Sequence, residues 1–124
     1  MSRILLDTNA LIWSVREPTR LTGAWRDLIV DADNDVFFSS ISVAEISIKT
    51  SSGKLAMPDG YVAALVQSGL AELPLTAAHA SMLETLPWHH RDPFDRMIIS
   101  QALVENLAVM TSDAAFASYD VALV

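Results

Sequence analysis

The chain has no cysteine in its 124 residues. A disulfide framework, a thiolate zinc site and a cysteine nucleophile are excluded, and a reducing compartment is permitted. Basic side chains are scarce: 8 Lys and Arg face 15 Asp and Glu, for a net charge of −7. A nucleic-acid binder usually carries a basic footprint. That objection weakens where several acids serve as metal ligands, so charge alone does not choose the partner. Charged residues reach only 19% against 52% hydrophobic, which excludes disorder as the main state. Long apolar runs are missing too. The first meets an acid at Asp7, too early for a secretory segment, and the others are cut by charge well before membrane-spanning length. The expectation is one domain over residues 1–124, cytoplasmic and without membrane contact.

What the sequence does contain is an alternation of short apolar strands with amphipathic helices, the pattern of a mostly parallel sheet of four or five strands covered by helices. Strands are predicted at 4–6, 36–38 and 107–110. A fourth at 72–75 is weakened by Pro74, which removes a donor and places it at an edge. Helices are predicted at 10–15, 43–51 behind Ser42, 60–68 behind Asp59, and 77–85 behind Thr76. A further helix runs from Thr22 to about residue 32. The longest covers 93–106, a last turn covers 114–118, and a tail at 121–124 ends the pattern. Trp13 and Trp25 fall on apolar helix faces.

The acids fall where these elements meet. Asp7 follows the first strand, Glu45 lies just past the second, Asp92 and Asp95 start the long helix, and Asp113 follows the strand at 107–110. Each has an ordinary explanation. Ser42 and Glu45 have capping-box spacing, Asp92 before Pro93 is a good N-cap with Asp95 at N3, and Asp7 and Asp113 suit caps. Together they ask for more. In a right-handed βαβ sheet every strand end and helix start lies on one edge, where open α/β sheets bind ligands. Asp7 and Asp113 are expected on central strands near the switch point. Carboxylates gathered there repel unless a cation joins them, and oxygen donors without thiolates suit Mg2+ or Mn2+. A divalent-metal phosphoryl-transfer site follows.

The segments Leu6-Asp7-Thr8-Asn9, Ser42-Val43-Ala44-Glu45-Ile46, Arg91-Asp92-Pro93-Phe94-Asp95-Arg96 and Thr111-Ser112-Asp113 resemble, in order, the acidic motifs of PIN-domain ribonucleases. The nearest likeness is to the VapC-type toxins of bacterial toxin–antitoxin pairs, and it spans essentially the whole chain. The resemblance implies a three-layer α/β/α PIN-like fold. It also implies a catalytic and metal-holding quartet of Asp7, Glu45, Asp95 and Asp113, supported by Asn9, Thr111 and Ser112, with Asp92 left as a helix cap. The implied activity is RNA phosphodiester cleavage with Mg2+ or Mn2+. The implied partners are an RNA substrate, a cognate antitoxin that blocks the acidic groove, and a second copy in a homodimer.

Other residues near the site have two readings. Trp88-His89-His90-Arg91 could offer stacking and phosphate contacts to single-stranded RNA, or form a polar loop with a partly buried Trp88. Joint metal ligation by His89 and His90 is disfavoured, because adjacent side chains diverge. Arg96 is expected to pair with a site acid. Lys49 and Lys54 are expected on a solvated face. Residues 57–70 carry apolar side chains around much of their circumference, so a helix there is expected to bury more than one face.

Three rivals are weighed. A response-regulator receiver needs an acidic pair after the first strand and a lysine near the last strands; here Thr8 and Asn9 follow Asp7, and the last lysine is Lys54. A haloacid-dehalogenase-like phosphatase needs an aspartate where Asn9 stands. A non-catalytic module whose partner fills the acidic groove sits poorly with an intact quartet.

Overall fold

The computed structural model describes all 124 residues. Strands β1 (Arg3–Leu6), β2 (Asp35–Ser39), β3 (Ala71–Leu73) and β4 (Ala108–Met110) form one sheet in the order β3-β2-β1-β4. Every pairing is parallel, with Ile4 opposite both Val36 and Ala108, and Phe37 opposite Ala71. A parallel bridge from Val109 to Leu123 brings the chain's tail alongside β4. The helices are α1 (Thr8–Arg16), α2 (Gly23–Val30), α3 (Ser40–Ser51), α4 (Tyr61–Gln67), α5 (Ala77–Met82) and α6 (Pro93–Glu105). Short 3-10 turns cover Pro18–Arg20 and Ala114–Ser118.

The runs at residues 4–6, 36–38 and 108–110 are apolar without a break because both faces of the sheet are covered there. Along β1 the side chains alternate between two cores. Ile4 and Leu6 join Leu11, Val36, Phe38, Ile46 and Leu65 on the side of α1 to α4. Leu5 joins Ile98, Ile99, Ala102, Val109 and Phe116 on the side of α6. This period of two is what divides the fold into three layers. Trp25 packs half-buried against the first core. Trp13 is half-buried beneath the Arg20 guanidinium, 4.5 Å from its ring centre.

Several expected boundaries move, each for a local reason. The cap of α3 is Ser39, whose hydroxyl accepts from the Ile41 amide. Ser42 therefore lies inside the helix, where its hydroxyl meets that of Thr8 at 3.0 Å, and Ser42 and Glu45 do not form a capping box. α5 stops at Met82, short of residue 85, although Thr76 caps it as expected. His79 completes that cap: its Nδ1 accepts from the Thr76 amide, so the ring proton sits on Nε2 and is donated to Glu105 at 2.7 Å. α6 ends at Glu105, and Asn106 turns the chain into β4 with φ +57, a left-handed conformation that asparagine tolerates. β4 is at the edge of the four-stranded order and not central, yet it still flanks the switch point, because the order reverses between β2 and β4 about β1. α4 covers only one face: Leu65 is buried, whereas Val66 on the same short helix is 53% exposed.

Ile98 is fully enclosed in the core beneath α6. Ile98→Ala should cost about 2–5 kcal/mol of stability and Ile98→Val about 1 kcal/mol, because truncation leaves a cavity in a close-packed layer. Urea unfolding should show the midpoint falling in that order with an unchanged slope.

Candidate metal centre

Each acid of the quartet is delivered by a different element. Asp7 follows β1 directly and caps α1, its Oδ1 accepting from the Ala10 amide at 2.7 Å. Its own amide donates to the Met110 carbonyl at 3.1 Å, which pins the end of β1 to the end of β4. Asp113 lies just beyond β4 and caps the 3-10 turn, with Oδ1 accepting from the Ala115 amide at 2.9 Å. Glu45 projects from α3 and is only 8% exposed. Asp95 stands in the first turn of α6 behind the cap Asp92, which accepts from the amides of Phe94 and Asp95.

All four carboxylates line one cavity of about 250 Å³ together with Thr8, Asn9, Lys49, His90 and Asp92, and none of the nine lining residues is hydrophobic. A larger cavity of about 400 Å³ lies beside Ser2, Arg3 and Asn106, but Asp120 is its only acid. Donor chemistry, rather than size, marks the first as the site. Of the supporting residues expected from the sequence, Asn9 lines the cavity. Thr111 is buried, and its hydroxyl accepts from the Asp113 amide at 3.0 Å. Ser112 is exposed and does not line the cavity.

Two residues join the site that the sequence reading left out. Lys49 is not simply solvated: its Nζ lies 2.8 Å from Glu45 Oε2 across one turn of α3. The spacing of four from Glu45 was the available signal. His89 and His90 do diverge, as expected, but one of them enters the site. His89 packs edge-on against Tyr119. His90 turns inward, with Nε2 at 2.8 Å from Asp95 Oδ2 and 3.7 Å from Asp113 Oδ2. Arg96 pairs with no acid. It is buried, and it donates to the carbonyls of Leu86, Pro87 and His90 and to the Tyr119 hydroxyl. Its guanidinium also lies 3.8 Å from the ring centre of Trp88, which is 78% exposed and not partly buried.

Negative charge in the cavity is incompletely answered. Burial, above all, raises the Asp7 carboxyl, and Asp113 and Glu45 raise it further against the lowering hydrogen bonds of Thr111 and Ala10. Burial likewise pushes Asp95 up to about 6, with His90 opposing and Asp92 and Glu45 adding. Glu45 Oε1 is buried without a hydrogen-bond partner, while its other oxygen holds Lys49. A buried orphan oxygen among crowded carboxylates is what a cation relieves, and an all-oxygen carboxylate set matches Mg2+ or Mn2+. The residues present therefore fit a divalent ion.

The PIN domain family matches residues 4–122 of this chain, and the chain belongs to that family. Similar solved structures carry the same fold. One is VapBC2 from Rickettsia felis bound to a DNA fragment from its promoter: 18% identity over 98% of this chain and 97% of that chain, TM-score 0.74. A second is DNA-bound VapBC from Salmonella typhimurium: 19% identity over 100% of this chain and 98% of that chain, TM-score 0.74. A third is FitAcB from Neisseria gonorrhoeae: 26% identity over 97% of this chain and 95% of that chain, TM-score 0.65. No curated protein matches the chain in sequence.

The raised Asp95 carboxyl has a consequence for stability. Its value of about 6 in the fold stands above the ordinary aspartate value of 3.8. The folded state thus keeps a proton that the unfolded chain has released, and stability falls as pH rises from about 4 through about 6. In EDTA, the melting temperature should be lower at pH 7.5 than at pH 5. Asp95→Asn should raise it at pH 7.5 and flatten part of that dependence, as read by thermal melts of both proteins across the range.

Proposed function

We propose that this chain is an endoribonuclease that depends on Mg2+ or Mn2+, works as one unit over residues 1–124, and acts as the toxin of a toxin–antitoxin pair. The observation that carries the reading is the convergence of Asp7, Glu45, Asp95 and Asp113 on a single cavity with no hydrophobic lining residue, at the carboxyl edge of a parallel sheet. The solved VapBC structures that share the fold support the toxin assignment.

These four residues would hold the ion. Bound there, a divalent cation polarises a phosphate, makes an attacking water more acidic and stabilises the leaving oxygen. The protein's own groups set the geometry. The amides of Ala10 and Ala115 each fix one oxygen of Asp7 and Asp113. Lys49 occupies one oxygen of Glu45 and leaves the other buried without a hydrogen-bond partner. Thr111 fixes the start of the Asp113 turn by accepting from the Asp113 amide. Asn9 and Lys49 offer donors to the phosphate of an RNA strand lying over the cavity.

Partners follow from charge and exposed apolar surface. An acidic cavity on a chain of net charge −7 favours a basic inhibitor segment, with an antitoxin arginine competing for Glu45 or Asp95. Val30, Ile48 and Val66 are large apolar residues left exposed on α2, α3 and α4, and they support burial against an antitoxin or a second copy in a homodimer. No helix is long and apolar enough to cross a membrane.

Purified protein should cleave RNA with Mg2+ or Mn2+ and stop in EDTA. Asp7→Asn should lower cleavage by about 100-fold or more, as loss of a direct ligand costs at least what outer partners do. An asparagine Oδ1 still accepts from the Ala10 amide, so the fold should survive, as circular dichroism would show. Undiminished cleavage in EDTA or by the variant overturns the metal mechanism. Expression without an antitoxin should arrest growth, and light scattering at micromolar concentration should show a dimer; harmless expression overturns the toxin reading, and a monomer overturns the dimer.

A further inference from the structure

We infer that His90 supplies a nitrogen ligand to the ion held in the acidic cavity, making a mixed imidazole–carboxylate site that favours Mn2+ over Mg2+. This rests on the metal-dependent reading above and adds a donor and an ion preference to it.

The first observation is placement. One ligand atom each from His90, Asp95 and Asp113 lies within 4.8 Å of the others. Nε2 is 2.8 Å from Asp95 Oδ2 and 3.7 Å from Asp113 Oδ2, so the imidazole stands between carboxylates brought from α6 and from beyond β4. Glu45 lines the same cavity, and its buried Oε1, left without a hydrogen-bond partner, independently asks for a cation. The second observation is how firmly His90 is held. Its amide donates to the Tyr119 hydroxyl at 2.8 Å. Its carbonyl accepts from Arg96, whose guanidinium also grips the carbonyls of Leu86 and Pro87. Arg96 is 4% exposed and Tyr119 is 6% exposed. Two buried side chains are thus committed to the backbone of the loop that points this ring into the site. A loop needed only to cover the core would not require a buried guanidinium with no carboxylate, an arrangement that is costly to desolvate.

The chemistry then sets the preference. Coordination would use the Nε2 lone pair with one ring proton on Nδ1, the proton now shared between Nε2 and Asp95 Oδ2 being released to solvent as the ion binds. A neutral imidazole adds a donor without adding to the repulsion among the acids. Mg2+ prefers oxygen donors and gives up water reluctantly, whereas first-row transition ions accept imidazole. Mn2+ is the member of that series that also suits a carboxylate-rich site.

The test loads the full chain with Mn2+ and reads electron spin-echo modulation. Modulation from 14N should be present, should change to the 15N pattern when histidine is labelled, should vanish in His90→Gln, and should persist in His89→Gln. In metal titrations, His90→Gln should weaken Mn2+ about tenfold and Mg2+ less than about twofold. Tight Mn2+ binding without nitrogen modulation, or equal weakening of both ions, overturns this inference and leaves the carboxylate site standing. Failure to bind Mn2+ or Mg2+ at all overturns both.

Discussion

The crowding of carboxylates into one partly buried cavity is the constraint around which this structure is arranged. Asp7, Glu45, Asp95 and Asp113, with Asp92 beside them, share one small cavity. Burial, first of all, raises the carboxyls of Asp7 and Asp95, and the neighbouring acids add to it. The chain answers with partial positive charge from every side. Amides at the start of α1, of α6 and of the 3-10 turn each meet an acid. Lys49 meets Glu45 and His90 meets Asp95. The compensation is incomplete, as the raised carboxyls of Asp7 and Asp95 and the orphan oxygen of Glu45 show. A domain selected for stability alone would have replaced some of these acids; keeping them is the mark of a site under functional load.

The choice between cap and ligand turns out to be a false one. A helix N-terminus at the carboxyl end of a parallel strand needs an acceptor for its free amides, and an aspartate there satisfies one amide with one oxygen. The other oxygen is left facing the crevice. Asp113 shows the division: Oδ1 takes the Ala115 amide while Oδ2 faces His90. The helix start also lends its positive end to the negative site. The topology therefore lets the same residues cap a helix and face one cavity, and only the number converging there separates this edge from a row of ordinary caps.

This explains what could be read from the sequence and what could not. Strand alternation, the caps Thr22, Thr76 and Asp92, and the order of acids after strands all depend on local spacing, and all are present in the fold. The capping-box reading of Ser42 and Glu45 failed because Ser39 begins the helix one turn earlier, where β2 runs into α3 with no loop between them. Lys49 had a legible spacing, but spacing of four is equally common on solvated helix faces. His90 and Arg96 were illegible for a deeper reason. Their positions depend on Tyr119, 29 and 23 residues further along, and no local pattern announces a contact of that range. The expected covering of two faces at residues 57–70 failed because α4 is only seven residues long and meets the core along one side.

Arg96 shows why the cavity remains deficient in positive charge. It lies one residue from Asp95, and the simplest expectation joins the two. Had it done so, a permanent cation would have occupied the acidic cavity in a bidentate geometry hard to displace. Instead the guanidinium turns away from the acids and spends its donors on the carbonyls of Leu86, Pro87 and His90 and on the Tyr119 hydroxyl. The guanidinium one residue from Asp95 is thereby used to fix a loop, and the loop brings the His90 imidazole to the site. One substitution of partner, carbonyls for a carboxylate, both anchors the segment before α6 and leaves the acidic cavity open to an exchangeable cation.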